Sequence, residues 1–153
     1  MKTPLSKIGQ VLTGAAERST CRNIKLGALI VTPDGRMVEG WNGPPERCGP
    51  HEACRVGGPI TPDNIRNCPG VHAEVRAICR AAAAGIPVAG GTIHLSQWFP
   101  CAPCARALIE AGIVRLVVKE PAPQAKDDCY NFRLAVEMLE TAGVEIQVLP
   151  DDT

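Results

Sequence analysis

The sequence predicts a mixed α/β fold, a sheet of about five strands with helices on both faces. Three observations carry that expectation. From residue 72 onward, helix-length segments alternate with short apolar runs, the pattern of strands joined by crossover helices. Each of those helical segments is followed by a glycine (Gly85, Gly112, Gly143), the residue that most readily ends a helix. Upstream, two apolar runs flank Pro33-Asp34-Gly35, a turn signal that reads as a hairpin.

Taken in order, residues 4–19 carry mixed helical periodicity and stop at the polar break Glu17-Arg18-Ser19-Thr20. Residues 26–32 (LGALIVT) form a strand and residues 37–41 its returning partner. Residues 42–70 are rich in Gly, Pro, Asn, Asp and Cys and have no period. A loop that long in a compact domain is usually functional, disordered or stapled. Residues 72–84 form an alanine-rich helix stopped by Gly85 and Pro87, residues 92–96 a strand, and residues 102–111 a helix. A strand over 114–118, apolar but for Arg115, a helix over 131–142 and a strand over 145–149 complete the chain. Right-handed crossovers make the strands near Thr92, Val114 and Glu145 parallel. A site is then expected at their carboxyl ends, where helices begin. Residues 1–153 read as one domain, with residues 43–70 as its long loop.

Charge and cysteine usage narrow the function. Lys plus Arg equals Asp plus Glu at 16 each, and no like-charged tract runs along the chain. A nucleic-acid partner, which calls for a basic face, is therefore not expected. The N-terminal stretch is too polar for a signal peptide, and no run approaches the roughly 20 apolar residues of a membrane span. The expectation is a cytoplasmic protein with no membrane partner. Eight cysteines in a reducing compartment point to metal binding or catalysis rather than to disulfides.

The chemistry sits in two short motifs. Val71-His72-Ala73-Glu74 opens one helix, and Pro100-Cys101-Ala102-Pro103-Cys104 opens the next after an intervening strand. Together they match the H-x-E … P-C-x-x-C signature of zinc nucleobase deaminases. Cys101 and Cys104 are three residues apart, so their side chains share the first helical turn, where the helix dipole favours thiolates. With His72 they make three ligands, leaving the fourth tetrahedral position to water, the mark of a catalytic zinc site. Glu74, two residues from His72, is off the ligand's face and flanks the metal as the proton carrier. Taken singly, the His–Glu pair would be an ordinary helical surface pair and the CxxC a redox pair or half of a structural site; it is their combination that points to catalysis.

The chain resembles the deoxycytidylate deaminases of the cytidine deaminase superfamily. Beyond the motifs, the likeness rests on residues 21–31 (CRNIKLGALIV), 40–45 (GWNGPP) and 105–118 (ARALIEAGIVRLVV), and extends over residues 19–149. It implies the cytidine-deaminase-like three-layer sandwich and hydrolytic deamination of a small nucleotide, deoxycytidylate, with release of ammonia. By the same resemblance Asn42 contacts the sugar, and Arg22, Asn23 and Lys25 hold a 5′-phosphate. Some bacterial and phage relatives carry a structural zinc near the loop after this glycine-rich turn. The resemblance implies such a second zinc here on Cys21, Cys48, Cys54 and Cys68, with His51 as alternative to one of them. It also implies a homo-oligomer, the family's habit being hexamers. Cys79, on the helix face of Val75, is expected in the core, and Cys129 has no evident partner.

The chain departs from the family in the segment 92–101, which is one residue longer than usual. His94 replaces a customary Tyr, and Trp98-Phe99 is bulky. That segment borders the base pocket, so another cytosine nucleoside or nucleotide, including a modified or secondary-metabolite pyrimidine, stands as the alternative substrate. A polynucleotide deaminase finds little support in a neutral chain with five aromatic residues. A non-catalytic zinc module would leave Glu74 without a purpose.

Overall fold

The computed structural model describes residues 3–49, 54, 56, 58–124 and 129–150. Its elements run α1 (Leu5–Glu17), β1 (Gly27–Val31), β2 (Met37–Trp41), α2 (Ala73–Ala84), β3 (Thr92–Leu95), α3 (Ala102–Glu110), β4 (Arg115–Val118), α4 (Phe132–Thr141) and β5 (Glu145–Val148). Two short 3-10 turns, Glu46–Cys48 and Ile65–Asn67, punctuate the long loop. The strands form one sheet in the order β2-β1-β3-β4-β5. β1 is antiparallel to both β2 and β3, whereas β3, β4 and β5 are mutually parallel, as their crossover helices require.

Side-chain alternation along β1 explains the layers. Ala28 and Ile30 point into the larger core with Ile93, Leu95, Leu116 and Val118, against α2, α3 and α4. Leu29 points the other way and meets Ile8 and Leu12 of α1. The result is a three-layer sandwich with α1 on one face and three helices on the other. α2 turns its small residues Ala73, Ala77 and Ala81 inward, one helical turn apart. Cys79, expected in the core, is exposed, because it lies two residues round from that alanine stripe.

Small residues let α2 sit close on the sheet. A Cβ at Gly40 would meet the Ala77 nitrogen at 2.6 Å and would also collide with the Ala73 carbonyl. That close approach fixes the start of α2, which carries His72 and Glu74, against the end of β2. The long loop begins and ends at one place, for Gly43 and Val71 form an antiparallel bridge with N–H···O distances of 3.1 and 2.7 Å. Asn42 and His72 are thereby held on neighbouring backbones. No helix among the described residues is long and apolar enough to cross a membrane.

Candidate active site

Two helix N-termini meet beyond the carboxyl ends of the parallel strands. His72 is the residue capping α2 and Cys101 the one capping α3, with Cys104 in the first turn of α3. Pro103 at the start of α3 sits where its missing N–H costs nothing. His72 Nδ1 lies 3.2 Å from Cys104 Sγ and 3.4 Å from Cys101 Sγ. Tetrahedral zinc with ordinary Zn–S and Zn–N lengths would space such donors by roughly 3.6 Å. Among the described residues these three are the group of potential ligands whose atoms all lie within 4.8 Å of one another. Two thiols and an imidazole so spaced fit zinc in donor type and in distance.

The electrostatics of the metal-free cluster point the same way. Cys101 is drawn down to about 4, first by the Cys104 hydrogen bond and then by His72, while Cys104 is pushed up by that same bond and by its burial. The pair shares one proton, which a cation would displace. His72 is raised by its hydrogen bond with Cys101. Glu74 is buried, and that burial pushes its carboxyl up from the ordinary value.

Two cavities reach this cluster: one is lined by His72, Glu74 and Cys101, the other by His72, Cys101 and Cys104. The first is the one that also meets Glu74. Asn42 lines it too, and its carboxamide is fixed on several sides. Its Oδ1 accepts from the Leu26 N–H at 2.8 Å and the Ser19 hydroxyl at 2.6 Å, while its Nδ2 donates to the Ile24 carbonyl at 2.8 Å. Of the other residues expected near a nucleotide, Asn23 lines the cavity, and Arg22 and Lys25 are exposed on the same segment. His94 lies inside the sheet, buried on β3 and facing away from Ile93 and Leu95. Cys21, Cys54 and Cys68 line the same cavity as His72 and Cys101; Cys48 and Cys54 are exposed, Cys21 and Cys68 half-buried. No three of these four thiols come within 4.8 Å of one another. His51, the alternative ligand, lies outside the described residues.

Several contributors carried no sequence signal. Arg76 is buried and donates to three carbonyls, those of Trp41 (2.8 Å), Gly43 (3.0 Å) and Pro44 (2.8 Å). It clamps the turn around Asn42 to the helix that bears Glu74. Tyr130 and Phe132 line the cavity from beyond β4, and the Tyr130 carbonyl accepts from the Ala102 N–H at 2.8 Å. That bond ties their segment to the start of α3.

Residues 3–120 match the family model described as the cytidine and deoxycytidylate deaminase zinc-binding region. The chain belongs to this family. ComE operon protein 2 of Bacillus subtilis (strain 168) is 32% identical over 132 residues, covering 86% of this chain and 64% of that protein. A probable deoxycytidylate deaminase of Drosophila melanogaster is 29% identical over 137 residues, with the same two coverages. The chain thus spans 64% of the length of each of these relatives. The dCMP deaminase from the cyanophage S-TIM5, solved in complex with dCMP and dUMP, superposes with a TM-score of 0.71 at 23% identity, over 97% of this chain and 100% of that one. Its likeness is one of fold, and it matches the three-layer sandwich described above.

Proposed function

We propose that this protein is a zinc-dependent hydrolase that converts deoxycytidylate to deoxyuridylate with release of ammonia. The observation that carries the reading is the convergence of His72, Cys101 and Cys104 beside the buried carboxyl of Glu74, on a cavity that His72, Glu74 and Cys101 line. Family membership and the name of the Drosophila relative support the substrate class.

His72, Cys101 and Cys104 would hold the metal. Zinc, when bound, supplies Lewis acidity that makes water nucleophilic near neutral pH. Glu74 accepts the proton of the attacking water and delivers it to N3 of the ring. It then passes the second proton to the leaving amine, so that water plus the C4 amine become a C4 carbonyl and ammonia. A neutral cavity wall keeps that carboxyl out of bulk water, which favours a group able to exist in both protonation states. Asn42 has one Nδ2 hydrogen left after its three internal bonds, which it would donate to a sugar hydroxyl. Arg22 and Lys25, exposed beside Asn23, would meet the 5′-phosphate at the rim. A second, structural zinc on the loop cysteines belongs to the same reading, as does a cytoplasmic homo-oligomer.

The test is turnover with a panel of cytosine nucleotides, nucleosides and oligonucleotides, with ammonia measured. Deoxycytidylate should outrun deoxycytidine and oligonucleotides, and Glu74→Gln should retain zinc while losing about 10²-fold or more in kcat. Wild-type-like turnover by that variant would remove Glu74 from the mechanism, and preference for an oligonucleotide would overturn the substrate class.

A further inference from the structure

Four of the chain's five aromatic residues, Trp98, Phe99, Tyr130 and Phe132, line the cavity that ends at the metal cluster. The same four line a second cavity, whose remaining wall is Glu120, Pro121 and Pro123. The aromatic rings are therefore a partition between the active cavity and an annex. Trp98 is the part of that partition with room to change, since it is 37% exposed whereas Phe99 and Phe132 are buried. It meets Tyr130 edge-on at a centroid distance of 6.0 Å, and Tyr130 in turn lies 5.6 Å from Phe132.

The backbone under Trp98 is unusual. Its φ is +63°, in the left-handed region. Among the described non-glycine residues only Asn131 shares that region, and asparagine tolerates it through its short polar side chain. A bulky indole has no such compensation, so the conformation is held by its surroundings and aims the ring at the partition. The extra residue in the segment 92–101 falls in this same stretch.

We propose that Trp98 is a specificity-determining gate that closes the active cavity against substituents at C5 of the pyrimidine ring. The inference rests on the deaminase reading. C4 must lie at the metal cluster, and Glu74 must face N3 to deliver its proton. The ring edge next to C4 that remains is C5, and Trp98, three residues before Cys101, lines the same cavity as Cys101 and Glu74. The gate admits a bare C5 and turns away a large group there, while its removal joins the cavity to the annex. Steric exclusion of this kind discriminates by one to two powers of ten.

The experiment compares deoxycytidylate with 5-iododeoxycytidylate in the zinc-loaded parent, Trp98→Gly and Trp98→Phe. Glycine accepts the positive φ, so Trp98→Gly relieves strain while losing the ring contact, and a thermal melt reports whether the fold is kept. The parent should favour deoxycytidylate by about tenfold or more in kcat/KM, and Trp98→Gly should bring that ratio near unity. Trp98→Phe should fall between them. Calorimetric binding of deoxyuridylate and 5-iododeoxyuridylate should show the same shift without turnover. Equal losses on both substrates, or an unchanged ratio in a folded Trp98→Gly, would make the ring mere packing and overturn the gate while the deaminase reading stands. A parent that turns over and binds no pyrimidine nucleotide overturns both.

Discussion

At the residue scale, the most consequential side chain after the ligands and Glu74 is Arg76. A buried guanidinium is costly unless its donors are used, and here they meet three backbone carbonyls of one turn. Its helix neighbour two residues earlier is Glu74, and its acceptors flank Asn42, so one side chain joins the helix of Glu74 to the turn of Asn42. Trp41, buried beside it, also packs under Arg18 and Arg80, whose guanidinium carbons lie 3.7 and 4.7 Å from its ring centroid. Arg76→Met strips its donor from the Trp41, Gly43 and Pro44 carbonyls, of which Gly43 keeps the Val71 N–H, and should cost about 2–4 kcal/mol of stability. Arg76→Lys keeps the charge but lacks the planar fork needed for several fixed carbonyls. It should recover part of the stability and show a raised KM with a smaller change in kcat, since the loosened turn carries Asn42. Equal KM values in the parent and in Arg76→Lys would show that the clamp does not reach the substrate.

At the scale of elements, the long loop is the segment whose order is least explained by its own packing. Its two ends are pinned at the Gly43–Val71 bridge and by Arg76, yet among the described residues between them come short 3-10 turns and few buried apolar residues. A second zinc would supply the missing ordering energy. Cys54→Ala or Cys68→Ala should then lower the zinc content by one ion per chain, lower the melting temperature and open residues 44–69 to protease. One zinc per chain in the parent would remove that site and leave the catalytic ligands as they are. The strands and helices themselves were legible in the sequence, because glycines at 85, 112 and 143 and the Pro33-Asp34-Gly35 turn punctuate clear periodicities. The cluster of His72, Cys101 and Cys104 was legible for a similar reason, since each lies in a short motif at a helix start. Tyr130 and Phe132 were not, because only the tertiary path after β4 returns them to the cavity. Arg76 was hidden too, as an arginine on an amphipathic helix ordinarily faces solvent.

At the scale of the whole molecule, the sheet centre holds a titratable group that links stability to pH. His94 sits on β3 between Leu29 of β1 and Val117 of β4, and is buried there. Burial first, and then the positive charge of Arg115, lower its pKa from 6.5 to about 4. The folded protein therefore keeps His94 neutral at pH values where the unfolded chain has already taken up a proton. Between about 6.5 and about 4 the unfolded state binds more protons at this position, so stability rises with pH across that window and is lost as the solution is acidified. In the metal-free chain His72 works in the opposite sense, since its raised value favours the folded state at low pH. That contribution is common to the parent and to a His94 variant, so it cancels when the two are compared. His94→Gln keeps a polar side chain of similar length but removes the titration. Imperfect packing lowers its melting temperature at neutral pH, but that temperature should fall less steeply than the parent's from pH 6.5 to pH 4.5. Melting curves collected across that range for both proteins, under one metal condition, give the comparison directly. Parallel declines would mean that His94 is not the group through which acid unfolds the sheet.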